Sequence, residues 1–237
     1  FCAAIEASGL MAKRQRGRPK NAGELRRRAP KRDPYKKVLI VCEGAKTEPN
    51  YFLELRDHYG LNTANVEVTG DCGSDPISVV RFAKKLFKQE AKAGDPFDRV
   101  YCVFDKDTHV KYADALSAIT RARPDKVFNS ITSVPCFEYW LLLHFRFTTA
   151  PYAPSGRKSA AQQVLDELKR ELPEYEKAAA GLFFQLLGRL DDAKDHAEKG
   201  LAITREDDTD NPSTHVHKLV TFLQSIKSQT WGRTKFK

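Results

Sequence analysis

The stretch VLIVCEG, residues 38–44, places five apolar residues directly before Glu43 and Gly44. A second stretch, VYCVFDKD at residues 100–107, repeats the arrangement, with Asp105 and Asp107 after the apolar run. Uninterrupted apolar runs of this length are typical of parallel strands that are covered on both faces of a sheet. The two stretches therefore predict two buried strands that each present carboxylates at their carboxyl end.

Ligands of open α/β sheets bind at the carboxyl ends of the strands, so we expect Glu43, Asp105 and Asp107 to meet in one crevice. Carboxylate oxygens that leave room for water and phosphate suit Mg²⁺, and Mn²⁺ accepts the same ligands. The sequence thus predicts a metal-dependent phosphodiester chemistry in which these three acids are both metal ligands and catalytic residues. The alternative interpretation is that they are solvated loop acids or helix caps.

Residues 37–150 alternate between strand and helix patterns, which predicts a parallel sheet with right-handed crossovers. Asp75 and Pro76 have the residue types of a cap and a first helical position. Glu138 follows the fourth strand at the start of an apolar helix and is a further candidate for a catalytic carboxylate at the same edge. The predicted strands cover 38–42, 66–68, 99–104 and 127–134, and the predicted helices cover 50–58, 76–87 and 111–121.

The second half of the chain has helical patterns. Residues 159–171 are amphipathic, 175–201 indicate one long helix, and Asn211-Pro212-Ser213 is predicted to cap a last helix. We therefore divide the chain into a basic N-terminal arm (1–36), an α/β core (37–150) and a helical C-terminal extension (151–237). His217 lies in the last helix and is a candidate to face the site, whereas His144 in an apolar helix is expected to be a core histidine.

The net charge of +9 is concentrated in the arm. Between Ala12 and Lys37 twelve Lys and Arg residues stand against two acids, and large apolar residues are scarce, so we expect this arm to be disordered without a partner. Its segment from Arg16 through Arg18 to Lys20 resembles the AT-hook, which inserts into the minor groove of DNA. Because the match covers only five residues, the alternative of non-specific binding to the phosphates of nucleic acid is favoured.

Composition excludes several classes. A hydrophobic content of 41% and a charged content of 30% indicate a globular protein, and no apolar run is long enough to span a membrane. Residues 1–10 lack the pattern of a secretory signal. The five cysteines are widely spaced and form no Cys-x-x-Cys pair, which predicts reduced thiols and a cytoplasmic location.

Four blocks of the sequence resemble the RloB family. They are VCEGAKTEPNYF at 41–52, VFDKD at 103–107, PCFEYWLLLHF at 135–145 and NPSTHVH at 211–217. The resemblance implies a fold like the TOPRIM domain of topoisomerases, primases and OLD-type nucleases, and a role in anti-phage abortive infection linked to restriction loci. It also implies an ATPase partner of the AAA or ABC type.

The same resemblance assigns Glu43 to the TOPRIM glutamate and Asp105 and Asp107 to the Asp-x-Asp pair. The implied activity is that of a Mg²⁺- or Mn²⁺-dependent nuclease on RNA, including tRNA, or on DNA, and Lys46 and Lys106 are predicted to contact nucleic acid. The leading alternative is a non-catalytic module that binds nucleic acid or a protein partner. A TOPRIM nucleotidyl or phosphoryl transferase is a third interpretation, and homo-oligomerisation stays open.

Overall fold

The computed structural model of the protein describes residues 36–63, 65–73, 75–106 and 110–234, with side chains as far as Ile226. The arm with Arg16, Arg18 and Lys20 lies outside the described residues, and so does Asp107. The strands are β1 (Val38–Cys42), β2 (Val66–Thr69), β3 (Arg99–Asp105), β4 (Phe128–Val134) and β5 (Ser213–Thr214). The helices are α1 (Thr47–His58), α2 (Pro76–Ala93), α3 (Tyr112–Thr120), α4 (Glu138–Leu142), α5 (Ala160–Glu171), α6 (Leu182–Leu186), α7 (Leu190–Glu206) and α8 (Val216–Thr234).

The fold is α/β, with a mostly parallel five-stranded sheet in the order β2-β1-β3-β4-β5. The first four strands are parallel, and β5 pairs antiparallel with β4. Because β1 and β3 are neighbours, with Cys42 opposite Val103, the acids that follow the two strands lie at the same edge. The parallel strands confirm the prediction, whereas β5 was not predicted because two residues show no strand pattern.

Alternating side chains of the buried strands supply two separate cores on the two faces of the sheet. Val38, Ile40 and Cys42 of β1 belong to the core that includes α1 and the helices from α4 onward. Leu39 and Val41 belong to the core under α2 and α3. Both faces of the sheet are therefore covered, as the uninterrupted apolar runs predict.

The helix predicted for residues 175–201 is wrong in its first part. Residues 173–181 are irregular, and helical structure begins only after Gly181, which has a φ of +83°. Ala178, with a φ of +72°, also departs from helical geometry. A short α6 and a 3₁₀ turn (Leu187–Arg189) then precede α7. The physical reason is that backbone groups of 173–181 bond to distant residues rather than within a helix, as described below.

The predicted cap at Asn211-Pro212-Ser213 is also wrong, because Ser213 lies in β5. The hydroxyl of Thr214 accepts a hydrogen bond from the N–H of Val216, at 3.3 Å, at the start of α8. The amide of Asn211 instead bonds to both backbone groups of Tyr152, with Oδ1 accepting at 3.2 Å and Nδ2 donating at 2.7 Å. Asn211 therefore fastens the loop before β5 to the loop before α5.

Within the described residues, no helix combines the length and apolar character that crossing a membrane requires.

Candidate carboxylate site at the sheet edge

Glu43 and Asp105 meet at the carboxyl edge of the sheet. The N–H of Glu43 continues the strand pairing by donating to the carbonyl of Val103 at 2.9 Å. The backbone N–H of Asp105 in turn donates to Oε2 of Glu43 at 3.1 Å. The end of β3 therefore orients the carboxylate of Glu43, and both acids lie where the sequence predicts them.

The loop after β4 supplies the third side of this edge. The N–H of Phe137 donates to Oδ2 of Asp105 at 3.0 Å, so the turn before α4 fixes the orientation of that carboxylate. Glu138 follows as the first residue of α4 and is only 4% exposed. Three neighbouring strands thus each bring one acid to the same region.

Glu48 is a fourth acid at this edge, although its position in the sequence indicates only an early-helix acid that the helix dipole favours. It lies in the first turn of α1 and is 9% exposed. A Cβ at position 44 would clash with the end of this side chain, so Gly44 leaves room for the carboxylate in its present position. A glycine directly after a strand acid is the sequence signal that could have indicated it.

The crowding of acids at this edge affects the ionisation of Asp105 and Glu48. Burial raises the pKa of Asp105 well above its usual value, and the charges of Glu48, Glu138 and Glu43 add to the increase. Burial likewise raises the pKa of Glu48, with further contributions from Glu138 and Glu43. Mutual repulsion among partly desolvated carboxylates is the electrostatic condition that a bound cation would relieve.

The segment 173–181 packs against this edge and brings a cation to it. Nζ of Lys177 lies 2.9 Å from Oε1 of Glu138, and the hydroxyl of Tyr175 donates to the same oxygen at 3.2 Å. The side chain of Lys177 is 64% exposed although that of Glu138 is buried. Lys177 therefore offsets part of the acidic charge while its ammonium group still faces solvent.

Backbone contacts hold the segment 173–181 against the start of α1. The N–H of Ala178 donates to the hydroxyl of Thr47 at 3.0 Å, and the side chain of Asn50 donates to the carbonyl of Ala178 at 3.2 Å. Glu54 accepts from the N–H groups of Gly181 and Phe183. These contacts explain why the segment is not helical, and no local sequence pattern signals partners that are 127 to 131 residues away.

The two described residues predicted to contact nucleic acid differ in their surroundings. Lys46 is exposed before α1. Nζ of Lys106 lies 2.7 Å from both carboxylate oxygens of Asp210 and 5.9 Å from the centre of the Tyr112 ring. Lys106 is therefore already paired, and binding phosphate would require it to leave Asp210.

The donor chemistry at the edge fits a hard divalent cation, since every acid there offers oxygen ligands. Among the described residues, however, no group of three His, Cys, Asp or Glu side chains is arranged to hold a metal ion. Asp107, the second member of the predicted Asp-x-Asp pair, is outside the described ranges. The carboxylate oxygens of this edge are nevertheless of the type that such a cation binds. Glu43 and Asp105 are the two predicted ligands that the structure describes.

Two histidines of the sequence blocks 135–145 and 211–217, His144 and His217, have structural roles. We call the region of Glu43, Asp105, Glu138 and Glu48 the carboxylate edge. His217 does not face it, because its Nε2 lies 2.9 Å from Oε2 of Glu198 on α7. His144 is buried in the core, as predicted; its Nδ1 lies 3.1 Å from the carbonyl of Trp140, and its Nε2 has no hydrogen-bond partner. Burial lowers the pKa of His144 to about 4, while its backbone hydrogen bonds oppose the shift.

The lowered pKa of His144 predicts a loss of stability in acid. The unfolded chain takes up a proton near pH 6.5 and the folded protein only near pH 4, so the free energy of unfolding falls across that window. Between about pH 7.5 and 4.5 the titration of His144 lowers the free energy of unfolding by about 2–3 kcal/mol. We expect His144→Gln, whose amide can still donate to the carbonyl of Trp140, to abolish this part of the pH dependence. Urea unfolding across this range measures it.

His58→Gln, the same substitution at an exposed position, is the control for this experiment. Acids with raised pKa values, such as Asp105, act in the opposite direction, so the comparison uses the difference between each variant and wild type. A His144→Gln profile parallel to that of wild type would contradict the prediction.

The fold and the edge together define an α/β protein with a partly buried carboxylate cluster at the carboxyl ends of a mostly parallel sheet. Residues 38–223 match the family model described as RloB-like protein, so the chain belongs to the RloB-like family. This match confirms the family predicted from the four sequence blocks. No curated protein and no solved structure matches the chain.

Proposed function

We propose that this protein is a metal-dependent nuclease with a TOPRIM-like core. The observation that supports the proposal most is the meeting of Glu43 and Asp105 at the ends of adjacent parallel strands, where the pKa values of Asp105 and the neighbouring Glu48 are raised. A partly buried cluster of repelling acids costs stability, and such groups concentrate at functional sites. In this proposal Glu43 and Asp105, together with Asp107, bind Mg²⁺ or Mn²⁺.

The bound ion would supply charge stabilisation at the phosphoryl oxygens of the scissile bond. The chain's own residues position the reacting groups. Phe137 orients Asp105, the backbone of Asp105 orients Glu43, and Glu138 holds Lys177 at the edge, where its exposed ammonium group can contact a phosphate. The substrate is RNA, including tRNA, or DNA.

The biological setting of the proposal comes from the RloB resemblance. It is anti-phage defence by abortive infection in the cytoplasm, with a partner ATPase of the AAA or ABC type that controls the activity. Uncontrolled cleavage of nucleic acid would harm the host, so we expect the isolated protein to have low activity. An assay must therefore include the ATPase where the locus encodes one.

The test is cleavage of labelled tRNA, single-stranded RNA and duplex DNA with Mg²⁺ or Mn²⁺, with and without that ATPase. We expect metal-dependent cleavage that falls about 100-fold or more in Glu43→Gln, because loss of a ligand removes several kcal/mol of transition-state stabilisation. Glu171→Gln, which changes an exposed acid at the end of α5, is the matched control and should cleave like wild type.

A non-catalytic binding module is the second candidate. It is favoured by the lack, among the described residues, of three side chains arranged around one metal ion. For such a module we expect no cleavage under any condition. Its nucleic-acid binding would be equal with and without Mg²⁺, would survive Glu43→Gln, and would disappear when residues 12–37 are removed.

A further inference from the structure

The outer face of α2 carries a stripe of positive charge. Arg81, Lys85, Lys88 and Lys92 follow the spacing i, i+4, i+7 and i+11, which places them within one narrow sector of a helix. With Lys84 and Gln89 they line a groove of about 490 Å³. We call these four residues and Lys84 the basic stripe.

Folding does not account for the basic stripe. The opposite face of α2 supplies the packing against the sheet through Val79, Val80, Ala83 and Phe87. Arg81, Lys85, Lys88 and Lys92 are all exposed, and their ammonium and guanidinium groups form no ion pair with an acid in the described part of the chain. Nζ of Lys85 lies 6.0 Å from the centre of the Phe82 ring, and the four like charges repel one another.

The acids of the surroundings are engaged elsewhere. Glu90 is the single acid in the sequence of α2, and it pairs with Lys37 on the neighbouring side of the helix. Lys84 is tied to α3, because its Nζ donates to the carbonyl of Ala118 at 2.8 Å. The other four cations remain available to a ligand.

The helix that carries the basic stripe starts beside the end of β1. The thiol of Cys72, in the loop before α2, donates to the carbonyl of Cys42 at the end of β1 at 3.0 Å. Asp75 then caps the helix, with its side chain accepting from the N–H of Ser78. The stripe starts at Arg81 in the second turn and runs for about 16 Å along the helix axis.

We propose that the basic stripe binds the phosphate backbone of a nucleic acid whose reacting part lies at the carboxylate edge. A linear row of cations about 16 Å long matches about five base-pair steps of phosphates. A membrane surface would need apolar side chains to insert beside the cations, and a protein interface would need an apolar centre. The exposed large hydrophobic residues of the described chain are Val110, Phe147 and Phe184, none of which lies on α2.

The test uses the full chain with Lys85, Lys88 and Lys92 all changed to Gln. The matched control changes Lys169, Arg170 and Lys199 to Gln, which removes the same charge from exposed positions of α5 and α7. Binding of labelled single-stranded RNA and duplex DNA is measured without metal over a range of salt concentrations. Salt dependence counts the phosphate contacts even though the basic arm also binds.

We expect the stripe variant to bind about tenfold or more weakly at low salt. The negative slope of log K against log salt should become shallower by about 2 for the single strand and about 3 for the duplex, since three phosphate contacts are removed. The control should change binding less than about twofold. Equal slopes in the two triple variants would overturn the proposal. It would also be overturned if the stripe variant bound nucleic acid like wild type but lost binding to anionic vesicles or polyglutamate.

The role of the stripe in cleavage rests on the proposed nuclease function, but its role in binding does not. Hydrolysis of bis(p-nitrophenyl) phosphate, whose single phosphate cannot occupy the edge and the basic stripe at once, separates the two. The stripe variant should hydrolyse this ester like wild type while cleaving long substrates more slowly. If wild type with its partner ATPase hydrolyses neither substrate but the slopes differ as expected, the nuclease proposal fails and the basic stripe stands.

Discussion

Replacing Asp105 with Asn is expected to stabilise the fold by about 1–2 kcal/mol at pH 7.5 while lowering cleavage about 100-fold or more. The reason is electrostatic. At this pH the folded protein holds Asp105 near Glu48, Glu138 and Glu43, and the pKa of Asp105 is raised well above its usual value. The amide removes that repulsion, and its oxygen can still accept from the N–H of Phe137.

The raised pKa of Asp105 determines how the stability difference between Asp105→Asn and wild type changes with pH. A raised pKa means that the folded wild type binds a proton at a pH where the unfolded chain is still ionised, so wild-type stability increases as the pH falls. The amide side chain of the Asp105→Asn variant does not titrate. Its stabilising effect should therefore be largest above neutral pH and should shrink toward about pH 4, where the unfolded wild-type chain also begins to bind the proton.

Urea unfolding at about pH 7.5, 6 and 4 measures the stability across this range, and the labelled nucleic-acid assay measures the activity. Asp195→Asn, at an exposed position of α7, is the matched control and should change neither quantity. A destabilised Asp105→Asn protein at the highest pH would mean that Asp105 is a structural acid that the fold requires. Increased stability with unchanged cleavage would contradict the catalytic role alone.

The meeting of Glu43 and Asp105 could be predicted because the relevant information is local. Each apolar run ends at its acid, and parallel neighbours bring their carboxyl ends to one edge. Glu138 could be placed for the same reason, since it follows the next strand of the sheet. In all three cases the position of a residue within a strand-loop unit decides where it lies.

The parts that could not be predicted depend on distant contacts. Thr47 and Ala178 are 131 residues apart in sequence, so nothing near Lys177 indicates that it reaches Glu138. The pattern of 175–201 favours a helix, but the hydrogen bonds to Glu54 and Thr47 outweigh it. Strand β5 is similarly invisible, because a pairing of two residues depends wholly on the neighbouring β4.

Gly70→Ala is expected to destabilise the protein by about 1–3 kcal/mol, the usual cost of forcing an extra group into a packed region. A Cβ at this position would lie 2.5 Å from the carbonyl oxygen of Gly44, 2.8 Å from Cγ of Pro49 and 3.0 Å from Cα of Ala45. Two of these atoms belong to the backbone, which cannot rotate away as a side chain can. The segment that joins Glu43 to Glu48 must therefore shift.

Two other glycines serve as controls for this prediction. Nothing lies within 4 Å of a Cβ at Gly188, so Gly188→Ala should leave stability unchanged or raise it by about 0.5 kcal/mol. Gly60 also has open space but a φ of +61°, so Gly60→Ala should cost about 1 kcal/mol from backbone conformation alone. The three variants separate steric contact from conformational strain in one series of urea unfolding curves.

Activity provides a second measurement on the same three variants. Because the clash at Gly70 displaces the loop between two acids of the carboxylate edge, Gly70→Ala should lose cleavage even at temperatures where it is fully folded. Gly60→Ala is destabilised without any contact to that loop and should keep wild-type cleavage once folded. Equal stability of Gly70→Ala and Gly188→Ala would mean that the loop yields without cost, and the close approach of Gly70 to Gly44 would then have no role in holding Glu43 in place.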